Sequence, residues 1–248
     1  MTAKRTEQVA VIASDEGRVV RVVLPGGPLD GVTAAELVAV TGQLREDRSI
    51  RAIILEAATA PFANGPGPDL NPLALDPDPA AGLASLRPPV IAAVDGLCVS
   101  VGFELALAAD IRVASPSTEF SFPDLAQGRL PCWGGTQRLS RAVRPAQATA
   151  MVLLGTPISA AEACVQGLVY EVVDDPRARA LELAAELVAR GPLSLELAKE
   201  AVHRGAELPL RDGLRLEGDL NHQLAATQDR AEGLQAFFDK RPPDFAGR

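Results

Sequence analysis

Glu104 is the carboxylate in this chain best placed to do chemistry. It stands in Phe103-Glu104-Leu105-Ala106-Leu107-Ala108-Ala109, a helix-forming run that follows Val101-Gly102. Upstream, Pro89 leads into the apolar run Val90 to Val94, which ends at Asp95-Gly96. The pattern predicts a buried strand, a turn, and a helix carrying a carboxylate in its first turn. Backbone N–H groups at a helix start have no intrahelical partner, and the macrodipole there favours negative charge. Two readings follow. Either the segment holds a developing oxyanion with a carboxylate beside it, or Glu104 caps an ordinary helix over a core strand.

Competing chemistries find little support. His203 and His222 are the only histidines, both late in the chain, and no ligand spacing suggests zinc or any other metal. No Gly-x-Ser-x-Gly elbow presents a serine nucleophile. Cys98, Cys132 and Cys164 are an odd, widely spaced set. They argue for a reducing compartment, hence a cytoplasmic location, and against a disulfide framework. Cys98 reads as a buried structural cysteine, and no base is evident to activate Cys132.

The elements that must position Glu104 alternate along the first part of the chain. Val9 to Ser14 and Arg18 to Leu24 read as strands joined by a turn at Asp15-Glu16-Gly17. Thr33-Ala34-Ala35-Glu36 fits a capping box opening a helix to about Arg45. Arg51 to Glu56 is a third strand, followed by a long Pro- and Gly-rich loop from Pro61 to Pro79, of a kind that is functional or mobile in compact domains. Ile111 to Ser115, Thr118 to Ser121 and Leu168 to Val173 read as further strands, and Ser159-Ala160-Ala161-Glu162 as a second capping box. Arg177 to Lys240 is nearly all helical, with breaks at Gly191-Pro192 and around Gly205 to Leu208. Leu181, Leu183, Ala184, Leu187 and Val188 give the tail an apolar face that needs a partner surface. The whole predicts an α/β core, residues 1–190, with a helical C-terminal region, residues 191–248.

The chain has 248 residues, 47% of them hydrophobic, enough for one large core or two modest domains. Its net charge of −8 and the lack of a basic stripe predict no nucleic-acid partner. No apolar run is long enough to span a bilayer, and Met1 to Gln8 is polar without a following apolar region, so neither a membrane nor a secretory signal is expected. Lys4, Lys199 and Lys240 are the only lysines. A few local cations would still suffice for an anionic small ligand.

Several motifs, in order and over nearly the whole length, resemble the crotonase superfamily, the enoyl-CoA hydratase/isomerase group. They are Pro89 to Gly96, Phe103-Glu104-Leu105-Ala106, Asp110 to Ala114, and Phe120-Ser121-Phe122-Pro123-Asp124 with Gly128-Arg129-Leu130-Pro131. Gly134-Gly135-Thr136-Gln137-Arg138-Leu139, Ala161-Glu162-Ala163 with Gly167-Leu168-Val169, and the end from Glu232-Gly233 through Phe237 and Lys240-Arg241 to Phe245 complete the set. The resemblance implies an α/β crotonase-type ββα spiral core with a helical C-terminal trimerisation region. It also implies a homotrimer or hexamer, an acyl-CoA thioester as substrate, and no cofactor beyond that coenzyme A thioester. The activity implied is that of a lyase of enoyl-CoA hydratase type in acyl-CoA and fatty acid metabolism. Isomerisation, thioester hydrolysis, decarboxylation, or a binding subunit with a decayed site are the alternatives.

The resemblance also assigns roles. Glu104 and Asp124, 20 residues apart, stand where two glutamates act as general acid and base. Asp124 is a methylene shorter, which pulls its carboxylate back by roughly 1–1.5 Å. Two backbone N–H groups hold the thioester enolate in this family. The second falls at Val101, in Ser100-Val101-Gly102, where the family commonly has three glycines. The first falls on a proline: Pro66 when aligned from Phe62, Pro68 when aligned back from Asp69-Leu70. Proline has no N–H, so Gly67 is the expected substitute, with Gly65 and Asp69 as the other candidates. Phe122 and Trp133 are expected to shape the pocket, with Gly102 beside them, and Lys240 matches a family lysine that reaches CoA.

Overall fold

The computed structural model describes residues 3–5, 8–76 and 78–248. The polar stretch Met1 to Gln8 therefore lies partly outside the described residues, as does Pro77 of the long loop. In chain order the strands are β1 (Ala3–Arg5), β2 (Ala10–Ser14), β3 (Val19–Leu24), β4 (Ala52–Ala57), β5 (Ala63–Asn64), β6 (Val90–Val94), β7 (Leu97–Val99), β8 (Ile111–Ala114), β9 (Glu119–Ser121), β10 (Ile158–Ser159) and β11 (Glu171–Val172). The helices are α1 (Gly31–Glu46), α2 (Pro79–Ala84), α3 (Val101–Ala108), α4 (Gly135–Ala142), α5 (Pro145–Leu154), α6 (Ala160–Val165), α7 (Pro176–Val188), α8 (Pro192–Gly205), α9 (Leu210–Ala225) and α10 (Gln228–Asp239).

Two sheets run side by side. One has the order β1-β2-β3-β4-β6-β8-β11, the other β10-β9-β7-β5. The chain steps from the first to the second and back through a helix, as β4-β5-α2, β6-β7-α3 and β8-β9 in succession. Within each sheet these successive strands pair in parallel, as β4 with β6, β6 with β8, β5 with β7 and β7 with β9. This is a ββα spiral, and it brings the turns after β5, β7 and β9 to one end of the second sheet.

The run Val90 to Val94 forms β6, buried at every position. It is continuous rather than alternating because both sheet faces are covered. Val90, Ala92 and Val94 face the main core with Leu55 and Phe103, while Ile91 and Ala93 face a second cluster with Ala180, Leu183, Ala184 and Val188 of α7. That packing accounts for part of the tail's apolar face: Leu183, Ala184 and Val188 of α7 find their partner in this chain's own sheet, while Leu181 stays exposed.

Other elements depart from expectation in instructive ways. Helix α1 is capped by Asp30, whose side chain accepts from Thr33 N at 2.7 Å, and Thr33 lies inside the helix. Glu36 reaches instead to the N–H groups of Gln8 and Val9. Leu168 to Val173 keeps only a two-residue strand. The Pro- and Gly-rich loop contains β5, a 3-10 turn over Pro72–Ala74 and the start of α2. The capping box at Ser159 and Glu162 forms as expected, and the helical tail has a further break at Ala226-Thr227. Helix α8 is tied to the core by Lys199, whose Nζ lies 2.7 Å from Asp110 Oδ2. Burial pulls the Asp110 carboxyl upward, but hydrogen bonding to His203 and the Lys199 charge outweigh it and hold it below the usual carboxylate range.

Candidate active site

Helix α3 is apolar all round and buried at all eight positions, as a helix inside a core must be. Glu104 is its only charge. The helix approaches β5 closely because residue 102 is glycine: a Cβ there would lie 2.4 Å from Ala63 Cβ. The first amides of α3 have no intrahelical acceptor, and among the described residues none takes the Val101 N–H.

Glu104 is 1% exposed, and its Oε1 accepts two backbone hydrogen bonds, from Trp133 N at 2.7 Å and Gly135 N at 2.8 Å. The donors come from the turn leading into α4, so this motif orients the carboxylate. Burial pushes the Glu104 carboxyl up to about 7, with the Asp124 charge adding to the rise, against the pull of the Gly135 and Trp133 N–H groups. A carboxyl poised there exchanges protons readily at neutral pH. Gly135 has no room for a side chain: a Cβ would stand 2.7 Å from Phe122 Cζ and 2.9 Å from Glu104 Oε1. Gly135→Ala is therefore expected to displace the Glu104 carboxylate and lower kcat about 10²-fold. Steady-state kinetics with an acyl-CoA substrate would check this, and an unchanged kcat would show that the carboxylate tolerates the shift.

Asp124 lies in a 3-10 turn, Pro123–Gln127, directly after β9. It is buried; Oδ1 accepts from Ser100 Oγ at 2.5 Å, and Oδ2 has no hydrogen-bond partner. Arg129 Nη2 stands 3.9 Å from Oδ1. Ser100 itself adopts φ +53° and ψ −122°, a conformation that costs a non-glycine residue roughly 1–3 kcal/mol and that clusters at functional sites.

These residues line one cavity of about 480 Å³. Ser100, Val101, Glu104 and Asp124 line it together with Arg129, Leu130 and Cys132 and with Pro66, Asn71, Pro72 and Leu73. Burial, with the nearby Glu104 and Asp124 charges, pushes the Cys132 thiol up to about 11, so it stays protonated and is no nucleophile. A larger cavity, about 600 Å³, lies among the C-terminal helices beside Phe245. Its carboxylate, Asp229, is engaged by the N–H groups of Ala246 and Gly247.

The cavity gathers Pro66, Val101, Glu104 and Asp124 of the residues expected from sequence. Phe122 is fully buried beneath it, stacked on Phe103 at 4.6 Å. Trp133 is 1% exposed and donates Nε1–H to Pro72 O, so its ring braces the wall. Phe62 is buried, with its N–H given to Asp95 O. Leu70 is buried, whereas Pro68 and Asp69 are exposed and line none of the cavity. Lys240 ends α10 in an exposed left-handed conformation away from it. Gly67 N–H, the expected substitute donor, is given to Leu29 O at 2.7 Å across the Leu29–Pro66 bridge. That engagement weighs against a donor role for it. Ser100 and Arg129 were not expected. A side chain where related chains commonly carry glycine was the available signal for Ser100.

The spiral thus holds a buried carboxylate pair beside a free helix-start N–H, groups able to move protons next to a developing negative charge. The family model for enoyl-CoA hydratase/isomerase matches residues 78–248, and the chain belongs to that family. It is similar to a 2,3-dehydroadipyl-CoA hydratase of Escherichia coli, 41% identical over 82% of this chain and 83% of that one. It is also similar to the mitochondrial enoyl-CoA hydratase domain-containing protein 2 of Homo sapiens, 35% identical over 89% and 81%. Among solved structures, an enoyl-CoA hydratase of Bacillus anthracis superposes with a TM-score of 0.89 at 30% identity, covering 98% of this chain and 100% of that one. The chain is thus an acyl-CoA-processing enzyme of enoyl-CoA hydratase type. Among the described residues no helix is long and apolar enough to cross a membrane, and no group of acids, cysteines and histidines could hold a metal ion.

Proposed function

We propose that the chain adds water across the α,β double bond of an enoyl-CoA thioester, and removes it in reverse, with Glu104 and Asp124 as the acid–base pair. One observation carries this reading. Two buried carboxylates line one cavity, each with one oxygen fixed by hydrogen bonds, beside the unspent N–H of Val101. The thioester oxygen accepts from Val101 N–H. One carboxylate takes a proton from water as its oxygen bonds to the β-carbon, and the electron pair of the double bond moves toward the thioester oxygen. The other carboxyl then delivers a proton to the α-carbon. Incubation with crotonyl-CoA tests this through loss of the enoyl-thioester absorbance. No loss at high enzyme concentration would contradict it.

Pro66 favours a second reading. It lines the cavity, has no N–H, and its neighbour Gly67 gives its own N–H to Leu29. With Gly67 engaged, Gly65 and Asp69 are the remaining candidates for a second donor; an enolate held by Val101 without either is less stabilised, and the extreme form of this reading is a subunit that binds acyl-CoA without turnover.

The proposed assembly is a homotrimer or hexamer, in which Lys240 would reach CoA across a subunit boundary, and the proposed location is cytoplasmic. What supports association is the exposed apolar surface of the C-terminal helices, with Phe237 78%, Phe238 76% and Leu210 79% exposed. Sedimentation is expected to give a trimer or a multiple of it, and a stable monomer would contradict the assembly.

A further inference from the structure

We propose that Ser100 is the positioning residue of the second carboxylate, and that Ser100 and Asp124 work as one unit in place of a glycine and a glutamate. The proposal rests on the hydratase reading of the same cavity.

Ser100 joins both acid–base residues. Its Oγ–H donates to Asp124 Oδ1 at 2.5 Å, and its carbonyl accepts the Glu104 N–H at 3.0 Å. Its own N–H goes to Ser121 O at the end of β9, the strand that leads to Asp124. The residue is 2% exposed and lines the cavity. A hydroxyl has one proton to give, and this one is aimed at a carboxylate whose other oxygen is left without a partner. A side chain at φ +53° is retained here against the steric preference for glycine, which would take the same turn without strain.

The pairing also explains why aspartate suits this position. A glutamate carries a further methylene, about 1.5 Å of reach, and the space toward α3 is already filled by Ser100 Oγ at 2.5 Å. With serine present the shorter acid fits and is held; with glycine present the longer acid would have room.

Four variants test this: Ser100→Ala, Ser100→Gly, Asp124→Glu, and Ser100→Gly with Asp124→Glu. Each is first shown to melt as a folded protein. With crotonyl-CoA, Ser100→Ala is expected to lower kcat about 10- to 100-fold with KM within about threefold, since a misplaced group costs turnover rather than binding. Asp124→Glu alone is expected to lose activity likewise. The double variant is expected to exceed either of its single variants by about tenfold or more, the non-additivity of groups in contact. Full kcat in Ser100→Ala, a gain in Asp124→Glu alone, or a double variant no better than the product of its singles would overturn the proposal. Exchange of the α-protons of butyryl-CoA in D₂O is followed alongside. It needs only enolate formation, so a wild type that exchanges but does not hydrate contradicts the hydratase reading while the same four-way comparison still decides the role of Ser100. A wild type that does neither overturns both.

Discussion

Glu104→Gln is expected to lower kcat about 10²- to 10⁴-fold, the usual worth of a general acid or base, with KM for the acyl-CoA little changed. Glutamine keeps a carbonyl oxygen for the Trp133 and Gly135 N–H groups, so the cavity keeps its shape and loses only the proton-carrying group. Because the carboxyl sits at about 7, kcat/KM should climb through neutral pH where ionised Glu104 is the base, and that limb should vanish in the variant. Stability should move the other way. The folded carboxyl, at about 7, lies above its unfolded value of 4.5, so the folded state holds an extra proton between the two. The stability this contributes is complete below pH 4.5 and is lost as pH rises through about 7. Glu104→Gln is therefore expected to gain relative stability as pH rises across that window, with a ceiling of about 3 kcal/mol at 1.36 kcal/mol per unit. Denaturant midpoints at pH 4 and pH 8 measure the gain. Unchanged turnover, or a midpoint difference that shrinks as pH rises, would contradict a buried, proton-carrying Glu104.

Pro66→Ala is expected to raise kcat. Removing one oxyanion donor costs about 10²- to 10³-fold, and alanine restores an N–H at a residue that lines the same cavity as Val101. A gain of about tenfold or more is expected, short of the full value because alanine also frees the local backbone. The loop is not left slack, since Leu29 N–H donates to Gly65 O and Gly67 N–H to Leu29 O on either side of residue 66. Pro68→Ala serves as the comparison. Residue 68 is exposed and off the cavity, so its N–H has no thioester to meet and kcat should stay within about twofold. Initial rates with crotonyl-CoA decide it. If Pro66→Ala slows an already brisk enzyme, a different group holds the thioester oxygen and the proline is no impediment.

The sequence made the load of each strand legible where burial has one cause. Val90 to Val94 reads as a doubly covered strand because five consecutive apolar residues have no other stable use, and β6 is buried on both faces. Ser159 and Glu162 announce their helix because both halves of the capping box are local. Thr33 and Glu36 carry the same signal and yet do not form one, because Asp30 lies one turn earlier and Gln8 and Val9 claim the glutamate. The α7 face was legible as apolar, but which surface covers it depends on a sheet assembled from distant strands. In the site, Glu104 and Asp124 were legible through the family resemblance, and one cavity is lined by both. The engagement of Gly67 was not, because its acceptor, Leu29, is brought alongside only by the bridge at Pro66. Ser100 was visible as a departure from a glycine-rich turn, but its bond to Asp124 spans 24 residues and two strands.

Incubating the protein with crotonyl-CoA in H₂¹⁸O, and reading the products by mass spectrometry, tests the hydratase chemistry most directly. A hydratase using Glu104 and Asp124 yields 3-hydroxybutyryl-CoA with one ¹⁸O at the β-carbon and an intact thioester. Label in free crotonate with release of CoA, a migrated double bond without label, or unchanged crotonyl-CoA bound to the protein would each contradict it.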